Sequence, residues 1–519
     1  VKQLAHLFCV KPLEQLLAET QQPGRRLRRA LGPWHLTFLG IGAIVGAGIF
    51  STVGEAAAGG GGHVGAGPAL TVSFVLVAVA CGFAGLCYAE FAAMVPVSGS
   101  AYTYAYATLG ELLAWIIGWD LILEYAVSNA AVAVSWSDYF QVLMRSFGLE
   151  VPAWLGTDYR TALQAAGAVA RAQAAGADPA SLGAGLLRAA TAWHQAPRLA
   201  GIPVVFNLPA FGIVAVITWI VLIGIRETAG FNTALVVAKL VVLGLFLGVG
   251  AWHVQPEHWA TFAPNGFKGI ASGAAIIFFA YIGFDAVSTA SEEARNPGRD
   301  MPFGILASLG ICTVLYVAVA AVLTGMVPWH TLGIADPLAY AFESLGMKWT
   351  AGLMAAGGVL ATTSALVPYQ VGQPRIFFSM ARDGLLPPWA AKVHPKFRTP
   401  HVTTMLTGIF VAVGSSVSNI NELVELTNIG TLFAFILVAL GIIVLRVRRP
   451  DLPRPFRTPW VPVVPLCAVA SCAWLMWQLP AKTWIRFGLW LGLGLMIYFG
   501  YGAWRSRLRA GPGARPQTH

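Results

Sequence analysis

The sequence predicts an all-α integral membrane protein of twelve transmembrane helices, in which the first and sixth are broken. Three observations predict it. The composition is too apolar for a water-soluble chain, about twelve apolar segments are long enough to cross a bilayer, and two glycine-interrupted segments lie five places apart. Of 519 residues, 57% are hydrophobic and 11% charged, and the mean hydropathy is +0.67. A soluble chain of this size carries roughly a quarter charged residues. The formal net charge of +10 would suit nucleic acid, but the basic residues cluster between long apolar runs, as in the cytoplasmic loops of a membrane protein. A nucleic-acid partner is excluded on that ground. Cys9, Cys81, Cys87, Cys312, Cys467 and Cys472 form no CxxC or Cys/His metal spacing, and most read as buried thiols.

A helix needs about 20 apolar residues to cross the hydrocarbon core. Segments that meet this run near 37–57, 69–96, 112–144, 206–225, 231–252, 269–291, 302–326, 351–380, 402–418, 428–446, 460–478 and 484–504. They divide the chain into an N-terminal segment (1–36), a first five-helix repeat (37–252), a second, inverted repeat (253–446), and two additional helices with a tail (447–519). An even number of spans puts both termini on one side. That side holds Arg25 to Arg29, Arg226, Arg295, Arg299, Lys392 to Arg398, the run from Arg446 to Arg457, and Arg505 to Arg509. The opposite loops are poorer in Lys and Arg and include Asn421-Glu-Leu-Val-Glu425. The positive-inside rule therefore places both termini in the cytoplasm. The Ala-rich outside loop, 145–205, is too long for that rule and is assigned no function.

Two segments have the composition of broken helices. The first reads Gly40-Ile-Gly42-Ala-Ile-Val-Gly46-Ala-Gly48-Ile-Phe50, and each glycine weakens a helix by about 1 kcal/mol relative to Ala. The sixth reads Phe278-Phe-Ala-Tyr-Ile-Gly283-Phe284-Asp285, with a carboxylate at mid-depth. Non-helical backbone is tolerated in a bilayer only where protein or a watery cavity covers it. Glycines alone would also serve close helix packing. Paired breaks at matching places in two halves point instead to a binding site at the bilayer midplane. Each break frees N–H groups at one half-helix start and C=O groups at the other's end.

A few charged residues stand inside the apolar segments. Lys239 stands in Leu235-Val-Val-Ala-Lys-Leu-Val-Val-Leu243 with no other charge in the segment. About eight residues separate it from the segment's start, roughly 12 Å of helix, which is deep for a side chain that merely reaches the surface. Burial penalises the ammonium, so such an amine can gain and lose a proton. Asp120 and Glu124 are an i, i+4 pair on the third segment, and a carboxylate at membrane depth is a functional candidate by default. Glu90 and Asp138 lie nearer segment ends and read as structural or exposed. Asp285 is expected to cap the second half-helix, because Asp satisfies orphan N–H groups well.

The longest distinctive stretches are KPLEQLLAE (11–19), LGIGAIVGAGIF (39–50), CYAEFAAMVPVSGSAYTYAYATLGELLAWIIGWDLILEYA (87–126), FFAYIGFDAVSTASEEARNPGRDMPFGI (278–305) and RDGLLP (382–387). On them the chain resembles the bacterial members of the cationic amino acid transporter family, within the amino acid–polyamine–organocation superfamily. The resemblance implies a five-plus-five inverted repeat with two extra helices, alternating access, and a bacterial cytoplasmic membrane. It also implies proton-linked or exchange transport of amino acids without a cofactor. It puts the substrate carboxylate on the N–H groups of Gly46, Ala47 and Gly48, and a helix N-terminus is a ready anion site. The ammonium should meet carbonyls near Ile44 and around Phe279, Ala280 and Ile282. Phe284 is then an aromatic lid, or an ordinary packing residue. Glu124 and Ser128 border the site, and Lys239 stands where a sodium ion binds in sodium-coupled relatives, which makes it the proton-coupling residue.

Side-chain selectivity is left open between cationic and neutral amino acids. The segment expected to line that end of the pocket, Thr362-Thr-Ser-Ala-Leu-Val-Pro368-Tyr369-Gln370, departs from simpler bacterial members at Pro368 and Gln370. An exchanger, a polyamine carrier and a non-transporting amino acid sensor are the other readings; a sensor is expected to carry a soluble signalling domain. No HExxH or GxSxG motif favours an enzyme. Gly59 to Gly62 lack the Gly-Lys-Ser/Thr of a phosphate loop. Expected partners are the amino acid substrate, protons and the lipid bilayer, whose contact face leaves room for a small accessory membrane peptide.

Overall fold

The computed structural model describes residues 9–11, 31–60, 63–95, 100–176, 178, 184–223, 229–397, 399–506 and 508. The basic cluster Arg25 to Arg29, Arg226, Arg398, Arg509 and most of the stretch 11–19 lie outside the described residues. The main helices are α1 (Pro33–Ile44), α2 (Val53–Ala58), α3 (Leu70–Met94), α4 (Ser100–Thr108), α5 (Glu111–Ser146), α6 (Tyr159–Ala174), α7 (Ala184–Gln195), α8 (Leu208–Ile223) and α9 (Ala229–Ala251). They continue with α10 (Gly266–Ile277), α11 (Pro297–Met326), α12 (Pro337–Ser344), α13 (Lys348–Arg382), α14 (His401–Val417), α15 (Ile420–Arg448), α16 (Val463–Trp477) and α17 (Ala481–Ile497). Apart from an isolated parallel bridge between Leu31 and Ala294, strand pairing is limited, among the described residues, to two antiparallel hairpins, Gly59–Gly60 with His63–Val64 and Arg198–Leu199 with Ile202–Pro203.

Among the described residues, eight helical stretches are long and apolar enough to cross a membrane, and a ninth is the bent pair Pro33–Ile44 and Gly48–Ala58. Three shorter apolar helices, α8, α14 and α16, coincide with the other expected segments. The centre is α5, a 36-residue helix whose residues from Ala114 to Val142 are mostly buried. It packs along α13 and α15, while α11 packs along α3 and α14 along α8. Helices five places apart in the expected order thus lie side by side.

The two ends of the bundle are fastened differently. At one end Glu90, fully buried, accepts from Arg446 Nε at 2.9 Å and Nη2 at 2.8 Å and from the Thr458 N–H at 2.7 Å, which bears out its structural reading. Here too Leu31 pairs with the chain after the sixth segment: its N–H donates to Glu293 O at 3.0 Å and its carbonyl accepts from the Arg295 N–H at 2.9 Å. Lys11 donates to Asp383 at 3.1 Å, and the Tyr102 hydroxyl donates to the second oxygen of that carboxylate at 2.8 Å. At the other end, the long Ala-rich segment forms α6 and α7. Asp158 caps α6 by accepting from the Thr161 N–H at 2.8 Å, and Arg160 reaches Glu422 at the start of α15 at 2.7 Å. Cys81, Cys87, Cys312 and Cys472 are buried, and Cys9 is exposed.

Candidate functional site

Both expected breaks are present, and they touch. Helix α1 ends at Ile44, Val45 is extended at φ −76° and ψ 96°, and a π-helical turn over Gly48–Thr52 leads into α2, the Gly48–Ala58 segment being bent by 44° from α1. The Gly46 and Ala47 N–H groups donate to no backbone carbonyl among the described residues. The second break follows α10: a 3₁₀ turn over Phe278–Tyr281, then Gly283 at φ +118°, then a 3₁₀ stretch over Asp285–Glu293. Short non-α turns of this kind are common at functional sites. Gly283 is required twice, by its left-handed φ and by space, since a Cβ there would lie 2.8 Å from the carbonyl carbon and oxygen of Ala43. Gly48 is required by space alone, because a Cβ would lie 2.3 Å from Ala280 Cα. The two irregular segments are therefore in backbone contact.

Lys239 lies on this junction. Its side chain is 1% exposed, and Nζ donates to Gly42 O at 2.8 Å and Val45 O at 2.9 Å. Tyr316, from α11, donates its hydroxyl to Ile44 O at 2.9 Å. The orphan carbonyls at the end of α1 are thus met by side chains from α9 and α11, and the negative end of the helix dipole favours a cation there.

Beside the junction is a cavity of about 150 Å³, a volume comparable with one that admits a benzene-sized molecule. It is walled by Leu39 and Ala43 of α1, Glu124 and Tyr125 of α5, Ile282, Gly283, Asp285 and Thr289 of the second break, Tyr102 of α4, and Ala365, Pro368, Tyr369, Gly372, Arg375 and Ser379 of α13. Glu124 is 2% exposed, and its Oε2 has no hydrogen-bond partner among the described residues. An unpaired buried carboxylate oxygen is costly and marks the cavity as a place for a donor. Tyr125 and Tyr369 meet edge to face at 5.7 Å between centroids.

Of the expected contacts, Glu124 and Ile282 line this cavity. Ile44, Gly46, Ala47, Gly48, Phe279 and Ala280 lie in the breaks beside it, and a Cβ on Gly46 would sit 3.1 Å from that of Ala365 in the cavity wall. Ser128 donates to Thr427 at 3.4 Å, deeper between α5 and α15. Phe284 is fully buried against Tyr88 and Phe435, at centroid distances of 5.9 and 5.0 Å. Asp120 is also fully buried, both its oxygens lack partners among the described residues, and it packs beside Gly430.

Asp285 does not cap the helix that follows it. Phe284 holds the cap position, and Asp285 Oδ1 accepts instead from the Gly283 N–H at 3.2 Å. The positive φ of Gly283 turns that N–H onto the carboxylate two residues on, which leaves Asp285 in the cavity wall. Gln370 likewise points elsewhere, accepting from Asn129 and donating to Thr218 at 2.9 Å, so it ties α5, α13 and α8 together. Tyr102, Tyr125, Tyr316, Thr289, Arg375 and Ser379 were not expected. A signal existed for the α13 members: 365, 368, 369, 372, 375, 376 and 379 recur at helical spacing and form one face.

Residues 31–499 match the family model described as amino acid permease. The chain belongs to the amino acid permease family. It is 43% identical over 498 residues to the methylthioribose transporter of Bacillus subtilis (strain 168), covering 96% of this chain and 98% of that protein. It is 44% identical over 503 residues to the branched-chain amino acid permease BcaP of the same organism, covering 97% and 99%. Human cationic amino acid transporter 4 is 35% identical over 453 residues, covering 86% of this chain and 63% of that protein. These relatives are transporters and not enzymes, and this permease is a multi-pass membrane protein.

Proposed function

We propose that this permease is a proton-coupled importer of L-amino acids, cationic or neutral, working by alternating access across twelve spans with both termini in the cytoplasm. The observation that carries the reading is the placement of the Lys239 amine on the Gly42 and Val45 carbonyls. With its proton, this amine is a charged clip on the end of α1. Without it the two remaining N–H donors are uncharged, the bonds to the two carbonyls weaken, and the broken helix is freer to move. Proton loss and gain are thereby tied to motion of the segment whose free N–H groups, at Gly46 and Ala47, suit a substrate carboxylate.

The side-by-side pairing of α5 with α13, α3 with α11, and α8 with α14 supports the two repeats, 37–252 and 253–446. The three shorter apolar helices bring the bent pair and the eight long spans to twelve. Arg295, Arg446, Arg454 and Lys11 at the Glu90 end support a cytoplasmic face there. The substrate side chain is assigned to the cavity, with Ile282, Tyr125 and Tyr369 as its apolar wall and Glu124 and Asp285 as acceptors. Bacillus BcaP is named for branched-chain amino acids, and the apolar wall favours such substrates; the two carboxylates favour cationic ones.

The test is thermal stability of the purified permease against a panel of amino acids at two pH values. A ligand present at a hundredfold over its Kd stabilises the folded state by about 2.7 kcal/mol. Selective stabilisation by leucine, valine and isoleucine makes the carrier a neutral one; by arginine, lysine and ornithine, a cationic one. If no amino acid stabilises it, the proposal fails.

A further inference from the structure

The hairpin after α2 carries a side-chain cluster that the coupling scheme above does not use. His63 Nε2 lies 2.9 Å from Glu425 Oε1 on α15, and His63 Nδ1 lies 3.4 Å from Ser272 Oγ on α10. The other oxygen of Glu425 accepts from the Thr483 hydroxyl on α17. Glu55 reaches the same place from α2. Its Oε1 is buried without a partner among the described residues, and it lies 3.7 Å from where a Cβ on Gly60 would be, Gly60 being the register partner of His63. We propose that Glu55, His63 and Glu425 form a second proton-binding site, which fastens the end of the first broken helix to α15 when occupied and releases it when empty.

The packing defines what the site would hold. The hairpin and α10 are one unit: Asn265 Nδ2 donates to Gly65 O at 2.9 Å, and a Cβ on Gly269 would lie 2.5 Å from the same oxygen. His63 to Glu425 runs from this unit to α15. Deeper, Asn428 Nδ2 on α15 donates to Ala275 O at 2.7 Å, a bond that does not titrate. An imidazolium donates from both ring nitrogens, one toward Glu425 and one toward Ser272, whereas the neutral ring can donate from one only. A neutral ring can keep both contacts by accepting from the Ser272 hydroxyl, so protonation instead turns the His63–Glu425 contact, the one that reaches α15, into a charge pair. The charges facing His63 are Glu425 from α15 and Glu55 from α2, both acidic; Lys268 on α10 is exposed to solvent. The hydrogen bond to Glu425 holds the His63 pKa above the ordinary histidine range, against the opposing effect of desolvation, and the Glu425 and Glu55 charges add to it. The tie is present below the unperturbed pKa and is lost as pH rises through the raised one.

Hydrogen–deuterium exchange of the permease in lipid nanodiscs tests this without reference to transport. Protection of the hairpin and of the first turns of α10, corrected for intrinsic exchange, is expected to fall as pH rises from 5.5 to 8.5. The fall is roughly tenfold for each unit by which the closed state holds the His63 pKa up. His63→Gln and Glu425→Gln are expected to be weakly protected at every pH, and His63→Lys, charged throughout, strongly protected at every pH. Protection that does not vary with pH in the wild type, or that varies equally in His63→Gln, overturns the proposal.

Discussion

Replacing Lys239 by Met keeps an unbranched side chain in its buried slot and removes the ammonium. The Gly42 and Val45 carbonyls, now met at 2.8 and 2.9 Å, then lose their donor. Leaving a buried acceptor unpaired costs about 1–3 kcal/mol, so the two together disfavour this arrangement of the break by roughly 2–6 kcal/mol before any relaxation. Part of that is returned, since no charge has to be desolvated. The sharper expectation concerns coupling. A gradient of one pH unit supplies about 1.4 kcal/mol per proton, enough for a roughly tenfold substrate ratio at one proton per substrate. In proteoliposomes with an inward gradient of that size, the wild type is expected to accumulate substrate toward that ratio. Lys239→Met is expected to equilibrate substrate at a ratio near one and to keep counterflow between pre-loaded and external substrate. Full accumulation by Lys239→Met would refute the coupling role; loss of both activities with an intact fold would mean that the residue serves the site and not the proton.

Three further expectations follow from contacts elsewhere. Gly48→Ala puts a methyl carbon 2.3 Å from Ala280 Cα, where backbone must move; a cost of about 1–3 kcal/mol or more should appear as a lower thermal midpoint and impaired transport. Glu90→Gln leaves Arg446 and Arg454 without their carboxylate; thermal unfolding should show a loss of about 3–5 kcal/mol, typical of half a buried ion pair. Asp158 is buried under α6, and desolvation, partly offset by the Thr161 hydrogen bonds, raises its pKa to about 6. The folded state then binds the proton more tightly than the unfolded one, so this group's contribution falls as pH rises from about 4 to about 6. Asp158→Asn should flatten that dependence, measured as hydrogen exchange of α6.

The long elements were legible because bilayer thickness sets helix length, and α3, α5, α11, α13 and α15 each carry a long, mostly apolar run. The breaks were legible because glycine is poor in a helix, and both Gly48 and Gly283 prove to be places where a neighbouring backbone leaves no room for a Cβ. Lys239 was legible as a lone charge in an apolar run, but its partners were not: nothing in the sequence ties residue 239 to the carbonyls of Gly42 and Val45. The cavity was only partly legible for the same reason. Its wall draws on α1, α4, α5, α13 and the second break, and which face of each helix points inward is fixed by packing. Asp285 shows the limit of local rules, because a capping preference takes no account of the positive φ at Gly283. His63 escaped notice because its partners, Ser272 and Glu425, are more than two hundred residues away in sequence.

The most direct test of proton-coupled transport is to add substrate outside proteoliposomes that contain only this permease, at equal pH on both sides, while a trapped dye reports internal pH. Substrate entry is expected to acidify the lumen, a proton ionophore to abolish the acidification, and Lys239→Met to admit substrate without it. Substrate entry through the wild type with no change in internal pH would overturn proton coupling and leave a uniporter or exchanger.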